Sequence, residues 1–246
     1  MQVQYKVRLY NSRLTRSDPL PHACWTMKTM TSSLMAVLAA LSLFSLAPAA
    51  LAQDAKAGEK KASMCIGCHG IPGYQASFPE VHKVPMIAGQ GAKYIVAALT
   101  EYQKGTRKHP TMRAVAAPLS EQDMADLAAF YETQPKDPVT LGTKPNIEPT
   151  PAVAALLKKS NCQSCHGENF SKPIDGSYPK LAGQHADYLY VALKAYQTEN
   201  NPQVGRAHAI MGAMAKPYTH AELKDMAKYI GSLDGELKTI PQSRFR

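Results

Sequence analysis

The sequence predicts an all-α protein built from two tandem, similar domains. Three observations predict this: an internal repeat, a helical spacing of apolar residues in both copies, and a matched pair of helix-start signals. Pro85-Met-Ile-Ala-Gly-Gln-Gly-Ala-Lys-Tyr94 matches Pro179-Lys-Leu-Ala-Gly-Gln-His-Ala-Asp-Tyr188 at an offset of 94, and Tyr102-Gln103 matches Tyr196-Gln197 at the same offset. Further on, His109-Pro-Thr-Met112 matches His208-Ala-Ile-Met211 at an offset of 99, and Pro118 to Met124 aligns with Pro217 to Leu223. Self-similarity in a fixed order, with small loop insertions, marks a duplicated domain.

Each element can be justified in turn. Ala55 to Cys65 and Pro151 to Cys162 suit the first helix of each copy, with Thr150 as N-cap and Pro151 as first helical residue. The second helix carries Ile95, Leu99 and Tyr102, and in the copy Leu189, Leu193 and Tyr196, spaced i, i+4, i+7. The last helix opens on Ser120-Glu-Gln-Asp123 and Thr219-His-Ala-Glu222, variants of the capping box. Its apolar face is Met124, Leu127, Ala128 and Tyr131 in one half, and Leu223, Met226, Ala227 and Ile230 in the other. Strand alternation is not expected anywhere. Pro135 to Pro151 holds five prolines and little apolar periodicity, which predicts a stiff, extended linker.

The N-terminal region reads differently. An apolar run from Leu34 to Ala47 is followed by Pro48 and then Ala50-Leu51-Ala52, the core and cleavage site of a secretory signal, with Met27-Lys28 as its basic start. Cleavage is expected before Gln53, and translation is expected to begin at Met27 or Met30. The alternative, an uncleaved membrane anchor, meets a run that is short for a span and ends at a proline. The expected organisation is therefore a presequence at 1–52, an N-terminal domain at 53–137, a linker at 138–150 and a C-terminal domain at 151–246.

Composition narrows the function. The formal charge is +9, but residues 1–52 hold five basic side chains and one acid, so the remainder carries about +5. Strong nucleic-acid binding is not implied. Of the five cysteines, Cys24 leaves with the presequence, and the other four form two motifs: Cys65-Ile-Gly-Cys68-His69 and Cys162-Gln-Ser-Cys165-His166. No disulfide framework is expected, although an exported chain would permit one.

The pattern C-x-x-C-H reads as covalent attachment of haem c. On a helical turn, residues i and i+3 share a face, so both thiols reach the two vinyl groups of one porphyrin. The histidine at i+4 offers its ring to the iron. Two motifs predict two haems, with Cys65, Cys68, Cys162 and Cys165 as thioether ligands and His69 and His166 as axial ligands. The repeat selects the sixth ligands. Met112 and Met211 align, whereas Met86 is replaced by Lys180 and Met124 by Leu223. Met112 and Met211 are the expected ligands, with Met214 competing for the second place. His109 and His208 also align, which leaves bis-histidine ligation open, although surface or propionate hydrogen bonding suits them better. His82, His185 and His220 lack aligned partners and are expected in solvent.

These motifs together, with Pro-x-Ile/Leu-x-Gly at Pro85–Gly89 and Pro179–Gly183 and a methionine before the capped last helix, resemble class I cytochromes c. The tandem arrangement is similar to the dihaem cytochrome c4 family, and the likeness spans nearly all of residues 55–235. It implies two class I cytochrome c domains, each a small helical fold wrapped around one haem. It also implies that the carbonyls of Pro85 and Pro179 accept the proximal imidazole N–H. Its departures are Tyr218, in place of the usual leucine before the last helix, and tyrosine-bearing loops at Tyr74 and Tyr178.

The family likeness implies a periplasmic electron carrier rather than an enzyme, passing electrons toward a terminal oxidase. Expected partners are redox proteins of the respiratory chain: a donor complex or small carrier, and the oxidase, with peripheral membrane association allowed. The alternative is an electron-transfer subunit of a dehydrogenase, of the flavin-dependent sulfide or alcohol type, or an enzyme in its own right, a dihaem thiosulfate-oxidising one. A two-site zinc protein is a third reading, but each site would need further ligands. Lys93, Lys104, Lys108 and Lys194 are candidates for a surface steering an acidic partner, set against a merely solvated helix face.

Overall fold

A computed structural model describes residues 52–137 and 139–241. All but the last residue of the expected presequence, including the Leu34–Ala47 run, lies outside the described residues. The N-terminal half contains α1 (Ala55–Lys61), α2 (Ser63–His69), α3 (Ala92–Lys104), α4 (Pro110–Ala116) and α5 (Glu121–Glu132). The C-terminal half repeats the order with α6 (Pro151–Lys159), α7 (Gln163–His166), α8 (Ala186–Gln197), α9 (Ala209–Ala215) and α10 (His220–Ser232). Thr150 caps α6, its hydroxyl accepting from the Val153 N–H at 3.3 Å, and Pro151 is the first helical residue. Both capping boxes are formed, at Ser120/Asp123 and Thr219/Glu222.

The first helix of each half is shorter than the sequence suggested. Ala62 closes α1 at ψ −3°, so the Cys65 segment restarts as α2. In the copy, Asn161 adopts a left-handed φ of +46°, which ends α6 before Cys162. Asparagine is among the few side chains that tolerate that region.

The last helix organises each core. Met124, Leu127, Ala128 and Tyr131 of α5 are buried, and so are Leu223, Met226, Ala227 and Ile230 of α10. α1 crosses α5 at Gly58, where a Cβ would lie 2.0 Å from the Asp126 carbonyl oxygen, so only glycine permits the approach. Asp126 fixes the same crossing. Its carboxylate accepts from the Asp54 N–H (3.0 Å), the Gln122 amide (2.7 Å) and Lys61 Nζ (2.7 Å).

Four two-residue strands depart from the expectation of no strands. β1 (Gln75–Ala76) pairs with β2 (His82–Lys83), while β3 (Arg107–Lys108) pairs with β4 (Gly205–Arg206), one strand from each half. Arg107 stands opposite Arg206. These strands are too short for alternation to be visible in sequence.

The seam between the halves uses residues that sequence reasoning placed in solvent. Lys194 is ion-paired with Glu80 at 2.9 Å and Lys108 donates to the Asn201 carbonyl at 2.6 Å, so both hold the halves together rather than facing a partner. Lys93 and Lys104 remain exposed. His82 is buried at 4% exposure, with Nδ1 2.8 Å from the Glu80 carbonyl and its ring stacked on Tyr188. The long connection lies along the C-terminal half: the Ile147 and Gly142 carbonyls accept from Tyr229 and Asn169, and Asn146 accepts from the Asp234 N–H. After α10 the chain returns to the N-terminal half. There Lys238 N–H donates to the Ala88 carbonyl at 3.0 Å and Ile240 joins the apolar core.

The Lys61 ammonium beside Asp126 holds its carboxyl below the usual carboxylate value, with burial opposing. A lowered folded pKa contributes stability above the unfolded value near 4, and that stability is lost as pH falls through the folded value. Asp126→Ala is therefore expected to lower Tm at pH 7, and the gap to the unsubstituted protein should narrow as melts are recorded at successively lower pH below about 4.

Candidate functional site

Both C-x-x-C-H motifs sit on short helices, as the spacing requires. Cys65, Cys68 and His69 lie on α2, while Cys162 precedes α7, which holds Cys165 and His166. All four cysteines are free thiols and half-buried. Before haem attachment, burial pushes the Cys65 and Cys162 thiols up.

Each histidine is anchored through one ring nitrogen. His69 Nδ1 is 2.8 Å from the Pro85 carbonyl oxygen, and His166 Nδ1 is 3.1 Å from that of Pro179. With Nδ1 carrying the donated proton, Nε2 keeps its lone pair for a metal. Burial holds both imidazoles below the ordinary histidine value, against the proline carbonyl, which favours protonation. Neutral rings are the ligand form.

The proline segments are placed by the last helices. Gly89 N–H donates to the Tyr131 carbonyl (2.8 Å) and Gly183 N–H to the Ile230 carbonyl (3.2 Å). Both glycines are left-handed, at φ +85° and +74°. A Cβ on Gly89 would meet the Glu236 carbonyl at 2.7 Å.

Met112 and Met211 lie on equivalent turns of α4 and α9, each capped by the preceding histidine. His109 Nδ1 accepts from the Met112 N–H at 3.4 Å, and His208 Nδ1 accepts from the Met211 N–H at 3.2 Å. This capping engages Nδ1 of each ring, a role the sequence did not suggest for His109 and His208. It also occupies a nitrogen that a bis-histidine site would need oriented otherwise. In the C-terminal half the structure gathers the expected set: Cys162, His166 and Met211 line one apolar cleft with Phe170, Leu181 and Tyr218. Met214 lines it too and is 38% exposed. In the N-terminal half the cleft at His69 is bounded by Ile66, Phe130, Tyr131 and Ile240, and Met112 is not among its walls.

Three groups of residues escaped sequence reasoning. Gln103 and Gln197 tie down the chain after the methionine helices: the Gln103 amide donates to the Ala116, Ala117 and Leu119 carbonyls, and the Gln197 amide to those of Ala215 and Tyr218. Tyr218 is buried and its hydroxyl donates to the Leu156 carbonyl (2.8 Å) and bonds Ser160 Oγ (2.6 Å), tying the end of α6 to the cleft. Arg107 and Arg206 lie in the seam, packed on the rings of Tyr102 and Tyr196. Arg107 donates to the hydroxyls of Tyr94 and Tyr188, and Arg206 to that of Tyr188. The repeat carried the signal for all but the tyrosine: Arg107 and Arg206 share the methionines' offset of 99.

The residues present fit haem. Free thiols stand three apart beside an imidazole with an available nitrogen, and an apolar cleft runs from one such imidazole to a thioether sulfur. Arg107 is buried with its Nε unpartnered, and no carboxylate pairs with either arginine among the described residues. A buried cation without an acid, with a second half-buried beside it, suits a group that brings its own carboxylates. The zinc reading lacks support: among the described residues no cluster of three or more His, Cys, Asp or Glu could hold a metal ion.

Comparison with known proteins agrees with this geometry. The family model for cytochrome c matches residues 55–134 and again 152–234. Cytochrome c4 of Azotobacter vinelandii is 30% identical over 217 residues, covering 83% of this chain and all of that protein. The thiosulfate dehydrogenase electron acceptor of Stutzerimonas stutzeri is 31% identical, covering 81% of this chain and 94% of that one. The crystal structure of reduced cytochrome c4 from Pseudomonas stutzeri superposes with a TM-score of 0.55 at 26% identity, over 74% of this chain and all of that one. The chain belongs to the cytochrome c family and is a two-domain cytochrome of the c4 kind, with two covalently bound haem c groups. Replacing Cys65 and Cys68 together by serine is expected to halve the haem per chain, read as haemochrome absorbance against protein mass; two haems retained would contradict the assignment.

Proposed function

We propose, with membership of the cytochrome c family as premise, that this electron-transfer cytochrome works in the periplasm and passes electrons within a respiratory chain toward a terminal oxidase. In this reading Cys65, Cys68, Cys162 and Cys165 hold the haems, His69 and His166 ligate the irons, and Met112 and Met211 complete the coordination. The observation that carries it is the cleft in which His166 and Met211 both stand: two ligands leave no iron position for a substrate. The haem iron supplies a one-electron couple, and histidine–methionine ligation sets it at high potential.

The chain's own residues account for the rest. The Pro85 and Pro179 carbonyls fix each imidazole and its tautomer, so no ligand has to reorient when charge changes. The apolar walls of the C-terminal cleft exclude water, and the two glutamine tethers hold the chain that follows each methionine. Rigid ligation keeps the reorganisation on electron gain and loss small.

Export is proposed through the signal at 1–52, and peripheral membrane association is proposed to bring the carrier to its partners. Among the described residues no helix is long and apolar enough to cross a membrane. Domains at 53–137 and 151–246, joined by 138–150, follow. Cleavage before Gln53 would leave the first helix intact, because its cap is Asp54, whose carboxylate accepts from the N–H groups of Lys56 (2.9 Å) and Ala57 (3.1 Å). A second reading, an electron acceptor for a dehydrogenase, is favoured by the likeness to the thiosulfate dehydrogenase electron acceptor.

Two tests follow from this reading. Met211→Ala is expected to abolish half of the weak red sulfur-to-iron absorption and to lower one midpoint by on the order of 0.1 V; an unchanged band would pass the role to Met214. The intact mass of protein recovered from the periplasm should correspond to a chain starting at Gln53 with two haems attached, and a retained presequence would refute cleavage there.

A further inference from the structure

We propose that Gln90 and Gln184 are positioning residues acting across the seam: each tunes the proximal imidazole of the opposite domain, so each half of the chain helps set the reduction potential of the other half's haem. The inference rests on His69 and His166 being the iron ligands, as proposed above.

One peptide group in each half links an imidazole to the other domain. The Pro85 carbonyl that accepts from His69 Nδ1 (2.8 Å) belongs to the same amide as the Met86 N–H, and that N–H donates to Gln184 Oε1 at 3.0 Å. In the copy, the Pro179 carbonyl accepts from His166 Nδ1 (3.1 Å), and the Lys180 N–H of that amide donates to Gln90 Oε1 at 2.9 Å. A chain of two hydrogen bonds through one planar amide thus runs from each imidazole to a side chain of the other domain. Hydrogen bonds in series polarise one another, strengthening each by roughly 10–30%.

The geometry excludes an accidental contact. Each glutamine makes a second bond to the same residue, Gln184 Nε2 donating to the Met86 carbonyl (2.8 Å) and Gln90 Nε2 to the Lys180 carbonyl (3.0 Å). The paired bonds fix which amide atom faces which backbone group, since a flipped side chain would set donor against donor. Each Oε1 is braced from its own domain as well, that of Gln90 accepting from the Gly91 N–H (3.0 Å) and that of Gln184 from the His185 N–H (3.1 Å). Both glutamines are only 4% exposed, so water does not replace them. The two clamps are the same device used twice, reciprocally.

The sign follows from charge flow. An acceptor at the amide N–H end enriches the carbonyl oxygen, which draws harder on the imidazole Nδ1–H and makes Nε2 the better electron donor. A more basic ligand favours the oxidised iron, so the clamp lowers the midpoint. Removing it raises the midpoint in the other domain.

The test is a redox titration of the full dihaem protein followed by NMR, with each haem's methyl signals assigned to its own domain. Gln184→Leu is expected to favour reduction of the N-terminal haem about threefold, which is about 28 mV at 59 mV per tenfold for one electron. The C-terminal haem should move less. Gln90→Leu should do the converse. Gln184→Glu, which keeps an acceptor facing the Met86 N–H and strengthens it, should move the N-terminal midpoint in the opposite direction; it also guards against a leucine variant that only loosens the seam. Equal shifts of both haems in every variant, or larger shifts in the substituted domain itself, would overturn the inference. Unmoved midpoints with both low-spin spectra intact would overturn it too, and leave the ligand reading standing. A His69→Ala protein that kept both low-spin spectra would instead overturn the ligand reading.

Discussion

Each half of this cytochrome depends on a histidine that cannot turn. The bond from its Nδ1 to a proline carbonyl fixes the ring and its tautomer, but only if the carbonyl itself is fixed. That requirement explains the segment after each proline. Gly89 and Gly183 adopt left-handed backbone so that the chain can bend and give an N–H to the last helix. The last helix must therefore be placed accurately, and in the N-terminal half α1 crosses it where Gly58 lets two backbones touch. Core packing, glycine choice and ligand orientation form one chain of dependence.

The seam between the halves extends that dependence. Because both proline segments face it, the groups that orient the two histidines also join the domains. A buried glutamine from each side completes the other's backbone bonding, and an arginine from each side meets in a paired strand. Lysines at the edge, Lys108 and Lys194, are used for the same purpose. This reciprocity follows from duplication: a device that suits one copy recurs in the other.

Much of this was legible in the sequence. Helix starts at Thr150, Ser120 and Thr219 were readable because capping is local chemistry. The apolar faces of α5 and α10 were readable because periodicity survives single substitutions. Cys65, Cys68, His69 and their counterparts were readable because reach and spacing define them. His82, Lys108 and Lys194 were misjudged for one shared reason: all three meet the opposite domain, and no local pattern records a contact between residues about a hundred positions apart. Arg107 and Gln90 escaped differently. Their repeat partners were visible, but buried arginines among tyrosines and a glutamine on a backbone amide have no motif.

The segment that follows α10 bears on how the molecule comes into being. Lys238 bonds to Ala88, and Ile240 closes the core beside His69. The domain that leaves the ribosome first is thus finished by residues that follow the second domain's last helix. Until that segment arrives, the core beside His69 lacks one of its walls. The two halves are copies in architecture, yet the first is completed by chain from beyond the second.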